Sequence, residues 1–243
     1  MSESSADRDT LVLERKPISV FLRERLTAAG RRAWANDNLS DFVGTIELDA
    51  LENEVADRAN EMLRALVIDT ESDPNTRDTG RRVARMFVRE VFAGRYQPRP
   101  EVTEFEGIRQ ADECFAIGPI AIRSCCAHHL VPITGQAWVG VIPNRETATV
   151  IGLSKYHRLT QWIMSRPQIQ EEAVEQLADE LEGAIEAPRA LAVVIRAKHL
   201  CCGWRGVKDD ASLMTTSVMR GLFKRDPKAR QEFLALIAGM GFR

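Results

Sequence analysis

The sequence predicts an α+β domain built on a mostly antiparallel sheet, and three observations predict it. Amphipathic helical stretches come first in the chain. Three short runs rich in β-branched and apolar residues follow: PIAIRSCC, QAWVGVIP and RALAVVIRAKHL. The last two are separated by a helical pair, and a further helix closes the chain. With 243 residues there is ample material for a core.

Residues 1 to 45 read as an N-terminal arm, partly ordered or helical, and 46–243 as the main domain. In ISVFLRERLTAAGRRAW, Ile18, Phe21, Leu22, Leu26 and Ala29 fall at helical spacing, but Gly30 and the charged flanks make that helix marginal. From Leu48 the period is firm: Leu48, Leu51, Val55, Met62, Leu63 and Leu66 form one stripe, ending before SDPNTRD. A second helix starts at Asp78 or Thr79, carries Val83, Met86, Phe87 and Val91 on one face, and is expected to stop at Gly94. The three strand runs come next. Between the second and third, Ser154 is the expected N-cap of KYHRLTQWIM, and Ile169, Ala173, Leu177, Leu181 and Ile185 mark another helix. Asp226-Pro227 is a strong start signal for a last helix with Phe233, Leu234 and Ile237.

Lys and Arg total 33 against 35 Asp and Glu. That balance argues against a whole-chain nucleic-acid binder and leaves room for a local basic pocket. No apolar run approaches the ~20 residues that span a bilayer. The start MSESSADRDT has neither the basic nor the apolar region of a secretory signal. Four of the five cysteines fall in adjacent pairs, Cys125-Cys126 and Cys201-Cys202, which is no disulfide framework. The expected setting is a reducing cytoplasm, with thiols used for metal or catalysis.

Those pairs lie in two clusters, SCCAHHL (Ser124–Leu130) and HLCC (His199–Cys202), each closing a predicted strand. Cys126 and His129 are three apart, so a turn can bring both to one ion while His128 points elsewhere. A further ligand must come from HLCC. If that segment stays extended, His199 and Cys201 share one face and Cys202 takes the other. Thiolate and imidazole donors at this density predict zinc; the bland alternative is buried cysteines acting as small hydrophobes. Groups suited to an anion surround the clusters. Ser154, Lys155 and Arg158 lie near a helix start, Arg205 follows HLCC, and Arg82 and Arg85 stand one helical turn apart. Glu171, beside Gln170, reads by default as an exposed acid near a helix start.

Residues from about 48 to 238 resemble the GTP cyclohydrolase I family. The resemblance is carried by DTGRRVARMF, SCCAHHLVPITG, VIGLSKYHRL, RPQIQEE, KHLCCGWRGV and TTSVMRGLF, in that order. It implies the tunnelling fold (T-fold), an antiparallel sheet with helices on one face, assembled as a decamer of two pentamers with sites between subunits. It implies GTP as substrate, 7,8-dihydroneopterin triphosphate and formate as products, and a place in tetrahydrofolate or related pterin synthesis. Zinc would be held by Cys126, His129 and Cys201. His128 and His199 would be the acid–base pair, and Ser154 would serve the ribose. Glu171 and Gln170 would face guanine. Lys155, Arg158 and Arg205 would hold the triphosphate, with Arg82 and Arg85 reaching in from a neighbouring subunit.

Four positions depart from the family pattern. Ala127 stands where Glu is usual, Arg85 where Lys is common, Gly80 in place of Pro, and Arg220 in place of a small residue. Ala127 removes a carboxylate between a ligand and a proton donor. It therefore keeps open an enzyme of the same fold acting on another purine or pterin nucleotide. A different class of reading is a non-catalytic module in which the same clusters, bound to zinc, merely staple an assembly.

Overall fold

The three apolar runs become strands, and with two more they form the five-stranded sheet that carries the site. The computed structural model of the chain describes residues 16–106, 113–147 and 149–242. β1 (Glu104–Glu106) pairs with β4 (Thr149–Ile151) in a small antiparallel ribbon. β2 (Phe115–Cys126), β3 (Pro132–Ile142), β6 (Ala190–His199) and β7 (Met214–Gly221) run antiparallel, each against the next. β5 (Pro167–Gln168) adds a short parallel pairing outside β2, giving the order β5-β2-β3-β6-β7.

Both faces of the central strands are buried, which is why their runs read as nearly continuous apolar sequence. On one face Ala137, Val139, Val141, Leu191, Val193 and Ile195 pack under α5 (Leu153–Met164) and α6 (Gln170–Ala184). On the other, Trp138, Ala192 and Val194 meet Phe223 of α8 (Leu222–Arg225) and Phe233 and Ile237 of α9 (Pro227–Gly239). The Asp226-Pro227 start signal is realised: the Asp226 carboxylate accepts from the Lys228 N–H at 2.8 Å. Ser154 is not the cap of α5. Gly152 holds that position, and Ser154 lies inside the first turn.

The N-terminal helix, marginal by composition, is present as α1 (Ile18–Ala28). Leu22 and Leu26 pack with Leu39, Val43 and Leu51, the last from α2 (Thr45–Ala65), and Arg25 pairs with Glu47 at 2.5 Å. The first 15 residues of the expected arm lie outside the described residues. The stripe on α2 is only partly covered within this chain: Met62 and Leu66 are exposed, as are the neighbouring Ile46 and Val67.

Gly94 does not end the second helix. α3 (Thr79–Arg85) widens into a π-helical turn, Met86–Val91, and α4 (Ala93–Tyr96) then contains Gly94. Close approach explains the glycine. Its N–H donates to the Ser165 carbonyl at 2.9 Å, and a Cβ there would lie 2.0 Å from the Trp162 carbonyl oxygen. Gly94→Ala is expected to destabilise the protein by about 3 kcal/mol through overpacking, read as a lowered denaturation midpoint.

β7 gave no strand signal because MTTSVMRG is half polar, as suits an edge strand with only Val218 buried. Arg220, one of the departures, is accounted for here. It stands opposite Leu191 and donates to Glu175, Asp179 and Glu182, three carboxylates along one side of α6. Among the described residues no helix is long and apolar enough to cross a membrane.

Candidate metal centre and its surroundings

The two Cys/His clusters close strands that are not neighbours, since β3 lies between β2 and β6. Registers Cys125↔Pro132 and Ile133↔His199 put both strand ends beside the start of β3. After Cys126 the chain turns sharply. The Leu130 N–H donates to the Cys126 carbonyl at 2.8 Å, the Cys126 N–H to Val131 at 2.8 Å, and the Ala127 N–H to Gln168 at 3.0 Å. Leu130 takes a left-handed φ of 53° to complete the turn. HLCC does not stay extended: β6 ends at His199, and Leu200–Gly203 form one helical turn, α7. Cys201 reaches the site on that turn rather than by strand alternation.

The ligand atoms of Cys126, His129 and Cys201 lie within 4.8 Å of one another, with Cys126 buried, Cys201 half-buried and His129 exposed. Two thiols and an imidazole are a donor set suited to zinc, and three protein ligands leave a position open. Burial, and then the neighbouring Cys126, push the Cys201 thiol up. A bound cation would supply the charge that lets these thiols ionise. Cys125 is buried outside the group, and burial raises its thiol to about 11. Cys202 also lies outside it.

His128, expected to point elsewhere, keeps its Nδ1 3.8 Å from Cys126 Sγ without joining the ligand group. His199 is tied to α6. Its Nε2 lies 2.7 Å from Gln170 Oε1, while Gln170 Nε2 donates to Ile195 O, Met214 O and Thr216 Oγ1, each at 3.1 Å. The two carbonyls, which can only accept, fix which end of the amide is nitrogen, so Gln170 Oε1 must accept. His199 therefore carries its proton on Nε2, and the neutral ring keeps a lone pair on Nδ1. Burial lowers the His199 pKa, with Glu171 pulling the other way. Gln170, expected to face the substrate, is fully buried with its whole amide engaged in this way.

The basic residues are placed unevenly. Arg205 Nη1 donates to His129 Nε2 at 2.9 Å, and its loop is pinned by a Lys198–Asp210 ion pair at 2.9 Å. That pair carried no sequence signal. A guanidinium can only donate, so a metal on His129 Nε2 and the Arg205 contact exclude each other. Lys155 Nζ donates to the Glu101 carbonyl at 2.9 Å. Arg158 lines a hollow of about 300 Å³ with His157 and Trp162, and Arg82 and Arg85 line one of about 250 Å³ with Arg81 and Asp78. None of the Cys/His cluster lines either hollow. Ser154 and Glu171 are exposed in the first turns of α5 and α6. The chain thus brings Cys126, His128, His129, Cys201 and Arg205 together, and joins His199 to Gln170.

The family profile described as GTP cyclohydrolase I matches residues 55–238. A protein of Aliivibrio salmonicida named GTP cyclohydrolase 1 is 33% identical over 218 residues, covering 89% of this chain and 95% of its own. Proteins of the same name from Mycobacterium ulcerans and Erwinia tasmaniensis are 42% and 39% identical. Those matches cover 74% and 76% of this chain, and 89% and 82% of the relatives.

Proposed function

Because the chain belongs to the GTP cyclohydrolase I family, we propose that it converts GTP and water to formate and 7,8-dihydroneopterin triphosphate. The observation that carries this reading is the convergence of Cys126, His129 and Cys201 beside His128. Two hydrolytic steps release C8 of the purine as formate. An Amadori rearrangement of the ribose follows, and a condensation that returns one water closes the pterin ring.

Zinc would be held by Cys126, His129 and Cys201, and when bound it acts as a Lewis acid that makes water nucleophilic near neutral pH. His128 protonates N7, which renders C8 electrophilic. His199, its Nε2–H held by Gln170, exchanges protons through Nδ1. Ser154 serves the ribose hydroxyls during the later transfers. The Glu171 carboxylate accepts from guanine N1–H and the 2-amino group, so adenine would leave it unpaired. Gln170 supports that end of the site from inside the protein. Metal on His129 Nε2 would release Arg205 to join Lys155 and Arg158 on the triphosphate.

Arg82 and Arg85 would complete the anion site from a neighbouring copy, in a decamer of two pentamers working in the cytoplasm. Their separate hollow supports an arrangement between subunits, as do the exposed Ile46, Met62, Leu66 and Val67. Residues 46–243 would form the catalytic domain, with residues 1–45 as an appended arm.

The test is incubation of the zinc-loaded protein with GTP under reducing conditions. Formate and a pterin that fluoresces after oxidation are expected in equal amounts. Intact GTP would overturn the reading. Formate without pterin would place an arrest after ring opening. Ala127 favours a second reading, the same chemistry on another purine nucleotide, which turnover of that nucleotide with GTP untouched would support.

A further inference from the structure

We propose that Asn36 is a positioning residue for base recognition: it holds the second carboxylate of the first turn of α6, Glu172, aside from the first, Glu171. This rests on the reading of Glu171 as the partner of guanine. Helix α6 opens with two adjacent exposed acids, Glu171 and Glu172. One carboxylate has two oxygens, enough for the N1–H and 2-amino donors of guanine. A second, unrestrained carboxylate beside it would repel the first and compete for the same donors.

Asn36 prevents this. Its side-chain amide donates to Glu172 Oε2 at 2.7 Å, and the residue is only 6% exposed. Its backbone is anchored as firmly as its side chain. Arg166, 4% exposed, donates from Nη1 to the Asn36 carbonyl at 3.0 Å and from Nε to the Gly94 carbonyl at 3.1 Å. Arg95 Nη1 donates to the carbonyls on either side, Ala35 at 2.9 Å and Asp37 at 3.1 Å. The Asn36 amide is therefore a fixed donor, although it belongs to a segment that precedes the family match at residue 55.

The first turn of α6 is gripped at two points. Inside, Gln170 binds three acceptors and His199. Outside, Asn36 binds Glu172, and Glu171 lies between the two grips. Releasing the outer grip leaves the buried Gln170 and the metal group in place, but frees Glu172 to interfere with Glu171.

The test compares wild type, Asn36→Ala, Asn36→Asp, Glu172→Gln and the double variant Asn36→Asp/Glu172→Gln in the zinc-loaded protein. KM for GTP is read by formate release, and Ki is read for ITP, which lacks the 2-amino group, as a competitor. Zinc content and the thermal midpoint are followed in parallel. In Asn36→Asp two carboxylates face each other; KM for GTP is expected to rise about tenfold and the preference for GTP over ITP to fall by a similar factor, with zinc retained. Asn36→Ala should shift the same way by less. The double variant restores a hydrogen bond with donor and acceptor exchanged, and should return both values to within about threefold of wild type. An unchanged GTP/ITP preference in Asn36→Ala and Asn36→Asp, whatever their stability, would overturn the proposal, as would a double variant no better than Asn36→Asp. Should the single variants fail to fold, a double variant that folds yet shows the lost preference also overturns it. Failure of the underlying reading looks different: wild type would leave GTP intact, or would show no preference for GTP over ITP.

Discussion

Cys126→Ser is expected to lose bound metal, and turnover with it, while Cys125→Ser one residue away keeps both. Neighbouring side chains on a strand point to opposite faces. Cys126 meets His129 and Cys201 within 4.8 Å, whereas Cys125 borders a separate hollow with Met86, Phe87 and Leu130. Removing Cys126 leaves two donors, too few to hold zinc against exchange with solvent, so metal content should fall about tenfold or more after desalting. Cys125→Ser puts a hydroxyl into a buried site and should cost stability alone, about 1–3 kcal/mol. Elemental analysis of desalted protein checks both. Equal loss from the two variants would mean that the wrong thiol has been assigned.

His128→Ala is expected to separate chemistry from metal binding. The ring lies 3.8 Å from Cys126 Sγ yet stands outside the ligand group, so zinc should remain stoichiometric. Loss of a general acid at the purine should lower turnover by about 10²–10⁴-fold. Formate release should fall as far as pterin formation, because the protonation of N7 proposed for His128 precedes ring opening. Zinc loss in this variant would make His128 a ligand. Unchanged turnover would remove it from the chemistry.

The donor chemistry was legible in the sequence because Cys and His announce themselves by type and short spacing. The path that delivers them was less so. Alternation along HLCC failed because β6 loses its partner after the pairing of His199 with Ile133, and nothing beyond holds the chain extended. Gly94 reads as a helix stop, but its reason is a carbonyl from Trp162, remote in sequence. β7 escaped notice because one buried valine among threonines and serine carries no apolar pattern. The segment around Asn36 was the least legible. Local propensity leaves it unassigned, and what fixes it is a guanidinium 130 residues further along the chain. The same holds for Gln170, whose role depends on acceptors from β6 and β7 that no spacing rule connects to it.

The position of β3 between β2 and β6 has a consequence for how the molecule opens. β3 contributes no ligand, yet any ion held by Cys126, His129 and Cys201 joins two strands that share no hydrogen bonds, across a gap of about 10 Å. Such a clasp leaves the middle of the sheet, where Val139 pairs with Val193, indifferent to metal. It acts on fraying at one corner, where the amides of Cys126 and Leu130 close the turn. Metal supply would then govern more than reactivity. It would decide whether this corner is a rigid wall of the proposed site or a local opening through which a protease could begin to unpick the chain.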